Sequence, residues 1–363
     1  MKRLNTLCSL MASVILAVPF LSGCSRNATQ STTPLPNPFW KVAAGTDVSS
    51  SPLPSAPSVS QPVLSTSIPA TSIPSTSNPS GSINTPAVWK AEDNNGHLIY
   101  MMGTIHVGDE TINNMPDYFE TAYQYSDAIA VEADISEIMS DNTKANQYLG
   151  KMIYQDGTTI KDHLSAETYN GIVNHLESHQ LYNAAYDNYK PFLWTSLLAN
   201  TMPMTNGLDY YHGIDLIITN RAKSEHKPVY EVESLDYQLD LFNSFSDQLN
   251  DLMLSEYLKP GFAQIADQAT ARLYDCWKKG TVTAEMNLDG TFSDRTEENS
   301  ALYQEYIEKL LLTRNKHMAE AAEQYLTSGQ KVFFMVGVLH FYGDGGIIDL
   351  LQQDGYRISL VTF

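Results

Sequence analysis

Cysteine is nearly absent. Of the three, Cys8 and Cys24 lie near the start, so the body of the chain has Cys276 alone and no internal disulfide. A small secreted fold stapled by disulfides is excluded. Basic residues are also scarce, 22 Lys and Arg against 41 Asp and Glu. Only Lys2, Arg3, Arg26, Lys41 and Asp47 of these precede residue 87, so the net charge of −19 for the whole chain becomes −22 beyond that point. Such a surface suits neither the phosphate backbone of a nucleic acid nor anionic lipid. Long apolar runs are missing after the N-terminus. There is no G-x-S-x-G elbow for a serine hydrolase and no glycine loop to cradle phosphate.

What is present falls into three parts. Residues 1–24 read as a processed leader: Met1-Lys2-Arg3, an apolar stretch over 4–21, then Leu21-Ser22-Gly23-Cys24. The apolar stretch is short for a transmembrane helix and suits a secretory leader. Small residues before a cysteine resemble a bacterial lipobox, in which Cys24 carries a lipid such as palmitate. The alternative is an ordinary leader with a chance cysteine. The lipobox reading places the protein at the cell membrane, lipid-anchored and facing outside the cytoplasm. Residues 25–86 hold 34 Ser, Thr or Pro among 62 and form a disordered tether. One island in it, Asn37-Pro38-Phe39-Trp40-Lys41-Val42, echoes Pro86-Ala87-Val88-Trp89-Lys90, which opens the third part, 87–363.

This last part alternates strand and helix patterns. Asp93-Asn94-Asn95-Gly96 predicts a hairpin turn between two β-prone runs. Buried strands are expected at 97–102, 127–132 and 331–339, with a short one at 228–233 and a last one from Arg357. Helices are expected from Pro116 to about Tyr125, through 136–206, over 215–223, through 235–328 with a break at Lys259-Pro260-Gly261, and over 345–353. Strands at both ends with helices between imply an α/β fold, a central mixed sheet carrying a large helical insertion.

His106, Glu132 and His340 each follow such a strand. Ligand sites in open α/β sheets gather at the carboxyl ends of strands. Gly103-x-x-His106 and Gly337-x-x-His340 repeat one local pattern. Two imidazoles and a carboxylate make a mixed N/O set suited to Zn, Mn, Co or Fe. By contrast His175 and His179, four apart on a helix, lack the H-E-x-x-H order of metalloproteases.

Gly103-Thr104-Ile105-His106, Val131-Glu132-Ala133-Asp134, Gly213-Ile214-Asp215, the 227–234 strand followed by a helix carrying Gln238, Arg314-Asn315-Lys316-His317-Met318 and Gly337-Val338-Leu339-His340-Phe341-Tyr342-Gly343 occur in that order. Together they resemble the motifs of the TraB/PrgY/GumN family, which includes the Tiki proteases, over essentially all of 87–363. The resemblance implies a fold similar to the erythromycin-esterase/ChaN-like group and a divalent-metal-dependent hydrolase, peptidase-like, acting on a peptide or small-molecule substrate. Many bacterial members have no assigned substrate. His106 and His340 would be metal ligands, for Mn, Co or Zn, and Glu132 a third ligand or the general base on water. Arg314 would stabilise an oxyanion or pair with Glu132 or Asp215, and Asn315 would orient water or substrate. Asp215 serves the site or only the N-terminus of its own helix. Glu231 and Glu233 share a strand face by alternation, so alternation leaves open which of them enters the site; Glu233 is carried as a candidate. Two other readings stand beside the hydrolase: a non-catalytic lipoprotein that binds a peptide or signal molecule, and haem or metal capture.

Overall fold

The computed structural model describes residues 83–136, 142–202, 205–288, 291–293 and 295–361. The leader, Cys24, the Trp40 island and all of the tether but 83–86 lie outside the described residues. Six strands form one mixed sheet: β1 (Val88–Glu92), β2 (Leu98–Thr104), β3 (Ala128–Val131), β4 (Val229–Glu231), β5 (Val332–Gly337) and β6 (Arg357–Leu360). The order is β4-β3-β5-β2-β1-β6. The strands β4, β3, β5 and β2 run parallel, and β1 is antiparallel to both β2 and β6. The hairpin turn is where the sequence places it. The Asp93 carboxylate accepts from the backbone of Asn95 and His97, both at 2.8 Å, and Gly96 takes φ +86°, where a side chain is strained.

The α-helices among the described residues are α1 (Asp117–Tyr125), α2 (Asn142–Lys151), α3 (Ala166–Ser178), α4 (Pro191–Ala199), α5 (Ile214–Ser224), α6 (Leu235–Asn243), α7 (Asp247–Glu256), α8 (Phe262–Lys278), α9 (Ser300–Ile307), α10 (Thr313–Thr327) and α11 (Ile347–Gln353). Gly261 at φ +83° opens α8 after the break expected at 259–261.

Strand alternation splits the core. Phe333 and Met335 of β5 point to one face with Met102 and Ile129, against Phe119 of α1, Ile214 and Ile218 of α5 and Trp277 of α8. Phe334 and Val336 point to the other, with Ile99 and Met101, against Met318 and Leu326 of α10 and Leu351 of α11. All five residues 332–336 are buried, as a strand covered on both faces requires. Burial of each phenylalanine contributes roughly 1.5–3 kcal/mol. The insertion, built from α2–α4, α6, α7 and α9, has a third core around Trp194, Phe242 and Tyr306. Both layers on the sheet end at the carboxyl edge of β2, β3 and β5, and there the functional side chains converge.

Two expectations are refined. The strand at 331–339 ends at Gly337, and a 3-10 turn (Val338–Phe341) carries His340. β4 ends at Glu231, so strand alternation does not continue to Glu233. Glu231 is exposed and accepts from the Asp134 N–H at 2.8 Å, whereas Glu233 is buried.

Candidate active site

Two turns carry the histidines, and they pack on each other. A Cβ added to Gly103 would lie 2.6 Å from the Val338 Cα, so only glycine fits. The first turn is held by Trp277, whose indole N–H donates to the Gly103 carbonyl at 2.8 Å. The second is held by Trp89, stacked on Phe341 with ring centroids 4.9 Å apart. The start of α5 abuts the first turn through Gly213, where a Cβ would meet the His106 carbonyl oxygen at 2.7 Å. That approach sets Asp215, in the first turn of α5, beside His106.

Each imidazole has its Nδ1 fixed. His106 Nδ1 lies 2.7 Å from Asp215 Oδ2. Burial works against a charged His106, but the Asp215 carboxylate beside it and Glu132 beyond outweigh that and hold its pKa above the ordinary value. His340 Nδ1 lies 2.7 Å from Asn315 Oδ1, and Asn315 Nδ2 donates to the Gly345 carbonyl at 2.9 Å. That second bond assigns the amide: Oδ1 faces the ring, so His340 Nδ1 bears the hydrogen and Nε2 keeps its lone pair. Burial, then the Arg314 charge, push the His340 pKa down to about 3. In both rings Nε2 has no hydrogen-bond partner among the described residues.

Glu132 stands between them at the end of β3. Its Oε1 accepts from Arg314 Nη2 and from Gln238 Nε2 at 3.0 Å. Its Oε2 accepts from the Gly337 N–H at 3.0 Å. A Cβ on Gly337 would meet Glu132 Oε2 at 3.1 Å, His340 Cδ2 at 3.3 Å and His340 Nε2 at 3.8 Å. The glycine is thus the empty corner that lets carboxylate and imidazole face one another.

Arg314 is buried and spent on two carboxylates. Its Nε and Nη2 reach Glu233 at 2.8–3.1 Å, and Nη2 also reaches Glu132. The pairing holds its pKa above the ordinary value against the cost of burial. A π-helical turn (Glu308–Leu312) precedes it and presents the Leu310 carbonyl to Nη1 at 3.4 Å. Such turns re-aim the residues that follow them. Of the expected alternatives for Arg314, the partner is Glu132 and not Asp215. Asn315 is committed at both ends of its amide, to His340 and Gly345.

The structure therefore brings His106, Glu132, Asp215, Glu233, Arg314, Asn315 and His340 to one end of the sheet. Gln238 belongs with them. Its Nε2 bridges Glu132 and Glu233, and its buried Oε1 has no partner. The sequence signal for it was its place one turn into the helix that follows Glu233. His175 is engaged with Thr201 at 2.7 Å.

A narrow cleft of about 10 Å³ opens here, lined by Thr104, His106, Glu132, Asp134, Asp215 and apolar neighbours including Val131 and Met335. Among the described residues no three His, Cys, Asp or Glu side chains gather as a ready metal shell. Of the expected His106–Glu132–His340 set, Glu132 is the member whose two oxygens are otherwise engaged. The two imidazoles do fit a cation: both are oriented by a partner on Nδ1, as metal-binding histidines are. The acidic groups around them, Glu132, Glu233 and Asp215, outnumber Arg314, the one buried cation among the described residues.

Paired, oriented imidazoles beside a buried carboxylate at the strand ends of an α/β sheet define the class of centre. The model of the TraB/PrgY/gumN family matches residues 87–360, and the chain belongs to that family. It is similar to the uncharacterized protein YbaP of Escherichia coli (strain K12), 27% identical over 284 residues, 74% of this chain and 92% of that one. It is also similar to Metalloprotease TIKI2 of Danio rerio, 21% identical over 72% of this chain and 58% of that protein. Metalloprotease TIKI1 of Homo sapiens is 22% identical over 72% and 59%. No solved structure is significantly similar, so the expected likeness to the erythromycin-esterase/ChaN-like group has no counterpart among them.

Proposed function

We propose that this chain is a membrane-anchored hydrolase of peptide bonds that depends on a divalent cation. One observation carries the reading: two buried imidazoles, each with Nδ1 tied by a carboxylate or amide, present free Nε2 atoms beside Glu132. His106 and His340 would hold the ion, and the similarity to the TIKI metalloproteases supports a protease. A divalent cation supplies Lewis-acid polarisation of a carbonyl and lowers the pKa of water. Glu132 Oε2 takes the proton of the attacking water and returns it to the leaving amine. Arg314, Gln238 and the Gly337 N–H hold that carboxylate in place, and Glu233 holds Arg314. Asp215 and Asn315 keep the rings in their tautomers. The name metalloprotease, borne by the TIKI relatives, specifies no ion; Mn, Co and Zn all remain in the proposal.

The anchor belongs to the same proposal. Among the described residues no helix is long and apolar enough to cross a membrane. Lipid on Cys24 would hold the domain outside the cytoplasm, on a Ser/Thr/Pro-rich tether. A second reading, a lipoprotein that binds a peptide or signal molecule without cleaving it, draws support from the absence of a gathered three-residue shell among the described residues.

The test is turnover of a peptide library by the purified chain with Mn, Co, Zn or Fe, for the wild type and Glu132→Gln. A general base predicts that Glu132→Gln keeps its metal and loses turnover. Loss of both makes Glu132 a ligand. Peptide binding with no turnover under any metal supports the binding protein.

A further inference from the structure

In parallel strands, residues in register project to the same side of the sheet. Thr104 of β2 pairs with Gly337 of β5. The missing Cβ of Gly337 points at Glu132 Oε2 and the His340 ring. The Thr104 side chain therefore leaves the sheet on the side where the reacting groups stand. It lines the cleft with His106 and Glu132 and is only 2% exposed. Its hydroxyl has no hydrogen-bond partner among the described residues.

Valine would fill the same space beside Val131 and Met335 with equal preference for a strand, so packing does not call for the hydroxyl. The cleft is otherwise rich in acceptors, with the carboxylates of Glu132, Asp134 and Asp215 in its lining. Its other donors are engaged. Arg314 is spent on Glu132 and Glu233, and Ser136 donates to Asp134 at 2.7 Å. Thr219 of α5 is a second lining hydroxyl without a partner, but it stands a full turn beyond Asp215 on the helix.

We propose that the Thr104 hydroxyl is the hydrogen-bond donor to the carbonyl oxygen of the bond being cleaved, a role the sequence had suggested for Arg314. The proposal rests on the hydrolase reading above. As the water oxygen bonds to the carbonyl carbon, the C=O π pair moves to the carbonyl oxygen, and Glu132 takes the proton of the water. Thr104 stabilises the negative oxygen by a hydrogen bond and gives up no proton. When the C–N bond breaks, the pair returns to re-form C=O, and the amine leaves with the proton from Glu132.

The experiment compares kcat and KM of the full chain with Thr104→Val, Thr104→Ser and Thr219→Val, on one peptide substrate and with equal metal loading. Loss of one such donor lowers kcat by about 10²–10³-fold. Thr104→Val should show that loss with KM nearly unchanged, Thr104→Ser should stay within about tenfold of the wild type, and both should melt with the wild type. An active wild type matched by Thr104→Val overturns this proposal alone. Loss of kcat in Thr219→Val but not in Thr104→Val assigns the donor to Thr219 and overturns it as well. A wild type inert with every metal overturns the hydrolase reading and this proposal with it.

Discussion

Gly103 and Val338 are in backbone contact: a Cβ on Gly103 would stand 2.6 Å from the Val338 Cα and 2.6 Å from its Cγ2. One belongs to the turn that carries His106 and the other to the turn that carries His340. The two histidine turns, more than 230 residues apart in sequence, are one packed unit.

Gly103→Ala therefore has to push the two turns apart. The expected cost is about 1–3 kcal/mol of stability, the range for overpacking a filled site, together with a loss of activity. Gly337→Ala should separate the effects. Its Cβ would meet side-chain atoms of Glu132 and His340 and no backbone, so the fold gives way locally while turnover falls. Urea midpoints and kcat for both variants decide the matter. Equal activity for Gly337→Ala and wild type would contradict the site.

How much of this was legible in the sequence depends on range. The hairpin at Asp93–Gly96, the strands ending near Gly103 and Val131, and the helix starting near Asp215 are local signals, and each was readable; the strand expected to reach Leu339 stops at Gly337. Two like motifs at strand ends also marked His106 and His340. The choice between Glu231 and Glu233 was not readable, because the strand stops at Glu231, two residues earlier than alternation assumes. The partners of Arg314 were not readable either. They depend on how α10 crosses the end of β3 and on the π turn that re-aims it, and both are set by tertiary packing. The register of Thr104 with Gly337 became visible only once β2 and β5 were paired.

Arg314 neutralises two buried carboxylates, Glu132 and Glu233. Arg314→Met leaves both without a counter-charge in a buried site. The expected destabilisation is about 3–5 kcal/mol. Arg314→Met combined with Glu233→Gln should recover part of it, since one unpaired charge is then removed. Chemical denaturation of the two variants measures this, and a change under about 1 kcal/mol would place the cluster in water.

Asn315 fixes the His340 tautomer. Asn315→Leu should leave the fold intact and lower metal affinity roughly 10–100-fold, the usual penalty for losing the partner of a ligating histidine. Titration calorimetry with Mn or Co tests it. Unchanged affinity would leave Asn315 with its bond to the Gly345 carbonyl as its sole role.

Acid should expose His340. Burial and the Arg314 charge hold its pKa at about 3, against 6.5 ordinarily. Between those values the unfolded chain binds a proton that the folded chain does not. The stability owed to neutral His340 is complete above about pH 6.5 and is lost as the pH falls toward 3. In protein stripped of metal by a chelator, His340→Gln should lose less stability than the wild type between pH 7 and pH 5. Parallel curves would contradict a buried neutral imidazole.

The central claim is that the two histidine turns form one metal-dependent hydrolytic centre. Its most direct test is metal content and peptide hydrolysis measured on the same samples of full-length wild type and His340→Ala, with folding checked by circular dichroism. The account predicts that the wild type takes up a divalent ion and cleaves peptide, and that folded His340→Ala does neither. A folded His340→Ala that binds metal and cleaves peptide as well as the wild type would contradict it.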